Sequence, residues 1–119
     1  VMEGVAFMLR RNCDALRATG TELRQIVATG GGAKSPVWCQ LQADITGLPV
    51  VVPLQTEAAC LGAAMAAAVS AGRYADYAAA AEKCVAVRER YIPHPTAQLE
   101  RRYRQFELLY RADIEAAKI

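Results

Sequence analysis

Gln25-Ile26-Val27-Ala28-Thr29-Gly30-Gly31-Gly32-Ala33-Lys34-Ser35-Pro36-Val37-Trp38 is the stretch on which the reading of this chain turns. The β-branched pair Ile26-Val27 leads into three consecutive glycines, and Ser35-Pro36 then starts a helix. Lacking a Cβ, Gly30, Gly31 and Gly32 permit positive φ and let a ligand come close to main-chain N–H groups. Ser35 is a favoured N-cap, and Pro36 fits the first helical position, where its missing N–H costs nothing. A helix N-terminus offers free donors and a positive partial charge, which suits phosphate or ribose oxygens. The stretch therefore points to nucleotide chemistry. The plainer alternative is a tight strand-to-helix turn with no ligand, but one glycine is normally enough for that.

Two common nucleotide patterns fail on spacing. A phosphate-binding P-loop needs G-x-x-x-x-G-K-S/T; Lys34-Ser35 is present, but Ala33 replaces the glycine before it. The dinucleotide fingerprint G-x-G-x-x-G begins with Gly30 and Gly32 but meets Ser35 at its third glycine. It also needs an acidic residue about 20 positions on, where this chain has Val50-Val51-Val52-Pro53.

The composition excludes several classes. The 119 residues carry a net charge of +2, with arginines interspersed among acids, so no basic stripe marks a nucleic-acid surface. The longest uncharged apolar run, 58–71, is alanine-rich and too short to span a bilayer. Cys13, Cys39, Cys60 and Cys84 are far apart, each in a helical pattern, and the single histidine, His94, sits between Pro93 and Pro95. Neither a metal site nor a disulfide framework is expected from that distribution. Free thiols in a cytoplasmic protein are.

Helical spacing of Val5, Leu9, Cys13 and Leu16 predicts a helix over 3–18 that ends at Thr19-Gly20. A strand is expected over 22–28, and then a helix from the Ser35 cap to Gly47 that buries Val37, Trp38, Leu41 and Ile45. The proline-bounded run 48–53 reads as a second strand, parallel to the first because a helix joins them. The small residues of 57–70 predict a helix that packs closely on the sheet or on a ligand. A fourth helix is expected over 74–85, a connector over 88–95, and a last helix over 96–118 with the stripe Leu99, Tyr103, Phe106, Tyr110 and Ile114. The fold class is α/β, helix-rich with a short parallel sheet. A start at Val1-Met2 and a two-stranded sheet with free edges lead to the expectation that the chain is a fragment of a larger one.

In this order the parts resemble the C-terminal portion of the FGGY family of carbohydrate kinases. The residues that carry the resemblance are Glu3-Gly4-Val5-Ala6-Phe7, the Gly30–Trp38 run with Gln40 and Ala43-Asp44, Gly47-Leu48-Pro49-Val50, and Glu57 with Gly62-Ala63-Ala64. Tyr91-x-Pro93 and the Tyr103/Tyr110 helix complete it, and the wording is most similar to xylulokinase-like members. The resemblance implies a partial ribonuclease H-like layer of the actin/hexokinase/Hsp70 type, with residues 1–119 as one nucleotide-binding subdomain. It implies that Gly30, Gly31, Gly32, Ala33 and Ser35 line an ATP site, with Lys34 near phosphate or merely solvated. Thr29 is given only a turn role, Glu57 a role at its helix N-terminus, and Trp38 and Asp44 packing and anchoring roles.

The resemblance also implies what these residues do not include. The phosphate loop, the catalytic base and the sugar contacts of such kinases belong upstream, so no catalytic residue and no metal ligand is assigned within 1–119. ATP, Mg2+ and a small sugar or polyol are the expected cofactors and substrate of the parent enzyme, with neither nucleic acid nor membrane as a partner. A homodimer is a further expectation. The competing reading is a non-catalytic nucleotide-binding or oligomerisation module of the same fold.

Overall fold

The computed structural model describes residues 1–55 and 57–119. Helix α1 (Met2–Ala18) leads to strand β1 (Ile26–Val27), a 3-10 turn (Gly31–Lys34) and helix α2 (Pro36–Thr46). Strand β2 (Val50–Pro53) follows, then helices α3 (Ala58–Ser70) and α4 (Tyr77–Cys84), strand β3 (Val87–Tyr91) and helix α5 (Ala97–Ala117). β1 and β2 are parallel, with Ile26 opposite Val50 and Val27 opposite Val51. The turn and α2 form the crossover between them, as the spacing predicts. At the end of α2, Gly47 adopts φ 72°, a left-handed C-cap that favours glycine.

The sheet corrects two expectations. Residues 87–91, read as a connector, form β3, which pairs antiparallel to β2 and makes the order β1-β2-β3. The sheet is therefore mixed rather than purely parallel. Arg88, Glu89 and Arg90 are all exposed on this edge strand, so no apolar alternation announces it, and their charges keep the edge from pairing further. The ladder slips between Val52 and Pro53, because Pro53 has no N–H to donate. β1 is shorter than expected, since β2 is its only partner strand among the described residues.

α2 sits between two clusters of buried residues. Its small residues Cys39 and Ala43 face the sheet and pack with Ala33, Val50 and Val52. Ile45, with half-buried Trp38 and Leu41, packs instead against Ala6, Phe7 and Tyr103 of α1 and α5. Val37, expected inside, is 72% exposed. The buried face of α1 is likewise rotated from the expected one: Ala6, Phe7 and Cys13 are buried, whereas Val5 and Leu16 are exposed. Phe7 decides this, because its ring meets Tyr103 at 5.7 Å and Phe106 at 5.5 Å between centroids. Aromatic pairs at these separations contribute beyond their buried area.

The α1–α5 seam is also charged. Arg10 binds Glu100 in a two-pronged pair, with Nη2 donating to Oε1 at 2.7 Å, while Arg102 pairs with Glu3 and Arg11 with Glu107. The Arg10 guanidinium lies over the Tyr103 ring at 3.9 Å. α3 differs from expectation most sharply. It buries no residue among those described and packs against α4 rather than onto the sheet.

Candidate functional site

β1 delivers the chain to the carboxyl end of the parallel pair, where Ala28 N–H donates to Val51 carbonyl at 2.9 Å. In parallel α/β layers, that edge is where ligands bind. Here the backbone turns into the glycine run. Gly30 takes φ 78° and ψ −162°, a region only glycine occupies without strain. Its carbonyl accepts from Ala33 N–H at 3.3 Å, and the Gly32 carbonyl accepts from Ser35 N–H at 3.2 Å. Gly31 and Gly32 open the 3-10 turn, so neither N–H donates to another backbone carbonyl among the described residues.

The three glycines have separate grounds. Gly30 is fixed by its dihedral angle. A Cβ on Gly32 would stand 3.3 Å from Cδ1 and Nε1 of Trp38. A Cβ on Gly31 would meet nothing within 4 Å, and its φ is ordinary. Nothing in the described protein therefore demands glycine at position 31.

Ser35 caps α2 as its sequence position predicts: its Oγ accepts from Trp38 N–H at 3.3 Å. The first turn of α2 holds no acidic residue, so the positive end of that helix is uncompensated. Lys34 is exposed directly before the cap. Ala33 does not share the open surface: it is 2% exposed, packs in the sheet-side cluster, and its N–H is already engaged by Gly30. The structure thus brings Gly31, Gly32, Lys34 and Ser35 to one exposed corner and turns Ala33 inward. Glu57 is the N-terminal flanking residue of α3 but makes no side-chain cap bond, so it charges that helix end without capping it.

Asp44 anchors more than its own helix. Its Oδ1 accepts from His94 N–H at 2.8 Å and from Gln40 Nε2 at 2.7 Å, and the same Gln40 nitrogen donates to the Ile92 carbonyl at 2.8 Å. This fastens the 92–94 segment to α2, a link that sequence spacing could not show. Burial pushes the Cys39 thiol up from its ordinary value, which keeps it protonated behind the turn. The donors at the corner fit ribose and phosphate oxygens. They do not fit Mg2+, which takes oxygen ligands. Among the described residues, no three His, Cys, Asp or Glu side chains gather to hold a metal ion.

A parallel strand, an open glycine turn and a capped helix together form one corner of an α/β layer. The chain belongs to the FGGY family of carbohydrate kinases, whose C-terminal domain matches residues 1–71. It is 46% identical over 79 residues to an autoinducer-2 kinase of Enterobacter sp. (strain 638), covering 66% of this chain and 15% of that protein. It is 33% identical over 111 residues to the xylulose kinase of Bacillus subtilis, covering 93% of this chain and 22% of that protein. The xylulose kinase structure from Rhodospirillum rubrum superposes with a TM-score of 0.78 at 28% identity, over 93% of this chain and 23% of that one. The chain therefore spans less than a quarter of the length of each of these three relatives.

Proposed function

We propose that residues 1–119 form the ATP-binding C-terminal part of a carbohydrate kinase that phosphorylates a sugar or polyol. The observation that carries this is Gly31, a glycine that neither backbone strain nor neighbouring protein requires, set between two glycines that are explained. Its open side gives a ligand access to the unengaged N–H groups of Gly31 and Gly32. Ser35 and the α2 N-terminus then orient the nucleotide, and Lys34 adds positive charge. ATP supplies the phosphoryl group to an acceptor hydroxyl. Such transfer depends on groups from both sides of a cleft, and the residues here form one wall.

The relatives' names put xylulose and autoinducer-2 on the acceptor panel, and the expectation from the sequence adds a polyol. The full-length protein, given ATP and Mg2+, is expected to consume ATP with one of these. If none stimulates turnover, the kinase reading is refuted. The alternative, an assembly module, draws on the uncovered apolar surface of α3. Sedimentation of the full-length protein separates the two readings: self-association through α3 with no acceptor-stimulated turnover would favour the module.

A further inference from the structure

In the corner described above, only at Gly32 would a Cβ come into tight contact with another part of the protein. The would-be Cβ stands 3.3 Å from both Cδ1 and Nε1 of Trp38, so the five-membered edge of the indole rests on the Gly32 backbone. Trp38 also packs on the helix-side cluster of Ala6, Phe7, Ile45 and Tyr103. Its own N–H is held by the Ser35 hydroxyl at 3.3 Å. The side chain is thus tied at the backbone by the cap, supported by α1 and α5, and pressed against the turn.

The indole is half-buried, with Nε1 on the side nearest Gly32. Trp38 therefore presents its polar edge to the glycine turn and its apolar surface to the cluster. The geometry points to Trp38 as the positioning residue of the nucleotide turn. It sets where the Gly32 N–H stands, and it couples the seating of α1 and α5 to that backbone. This role rests on the nucleotide reading above.

The test uses the full-length protein labelled with 5-fluorotryptophan, with ATP as the probe and Trp38→Phe to assign the Trp38 fluorine resonance by its loss. ATP is expected to shift that resonance. Gly32→Ala is expected to weaken ATP binding about tenfold, measured by calorimetry. Adding Trp38→Phe, which removes the obstructing edge, restores most of it. Gly31→Ala also weakens binding, but Trp38→Phe does not restore it, because the Cβ there meets no protein atom.

Full ATP affinity in Gly32→Ala overturns the role, as does a double variant no better than the single one. Equal rescue of Gly31→Ala and Gly32→Ala overturns it too. If Gly32→Ala fails to fold, a folded, ATP-binding Gly32→Ala/Trp38→Phe protein supports the role and an unfolded one refutes it. Absence of both ATP binding and a resonance shift in the unsubstituted protein sinks the nucleotide reading and this role together. Binding without rescue sinks this role alone.

Discussion

Adjacent glycines in this chain answer to different forces, and substitution separates them. At Gly30, valine would be forced into a φ of 78°, which costs about 1–3 kcal/mol. Gly30→Val is therefore expected to lower stability. At Gly31, valine meets no protein atom, so Gly31→Val is expected to leave the unfolding midpoint nearly unchanged and abolish nucleotide binding. Parallel denaturation and ATP titration check both, and unimpaired binding by Gly31→Val would remove the turn from the site. The sequence alone revealed the turn, the Ser35 cap and the need for small residues, because these follow from local backbone chemistry. It did not distinguish the three glycines, nor show Ala33 turned inward. Those depend on Trp38 and the β2 valines, which reach the turn only through tertiary packing.

Among the elements, α1 and α5 are joined by both rings and charges. The Arg10 hydrogen bond holds the Glu100 carboxyl below its ordinary value of 4.5. A carboxyl lowered in the folded state contributes stability above that ordinary value and loses it as pH falls through the lowered one. Glu100→Gln is expected to weaken the seam at pH 7 by about 0.5–1 kcal/mol, the scale of an exposed ion pair. Hydrogen exchange of the α5 amides reads this loss, and the difference from the unsubstituted protein should vanish on acidification through that range. A difference that persists in acid would mean that packing rather than charge carries the effect. The periodicity of α5 was legible because its apolar stripe is unbroken from Leu99 to Tyr110. The buried face of α1 was not, since Phe7 interrupts the Val5-Leu9 register to reach Tyr103. β3 hid behind its charges for the related reason that an edge strand need not alternate.

At the scale of the whole molecule, the radius of gyration is 17.7 Å, against about 13–14 Å for a compact domain of this length. The excess arises where packing is missing. α3 has no buried residue, α4 leans mainly on α3, and Leu108, Leu109 and Ile114 lie exposed on the outer half of α5. The small residues of α3 correctly foretold a helix but not its partner: the sheet or a ligand was expected and α4 is what it meets, because close approach leaves no trace of what approaches. Relatives of which this chain spans 15% and 22% offer ample chain to cover that surface. If the remainder of a kinase lies over α3, its exposed Cys60 becomes inaccessible in the full-length native protein. A thiol reagent should then modify Cys60 at least about tenfold more slowly in the native than in the unfolded protein. Peptide mapping assigns the modified residue, and a Cys60→Ser variant gives the background. Rapid native labelling of Cys60 would show that α3 stays open to solvent, and the covered-domain reading of this surface would then fail.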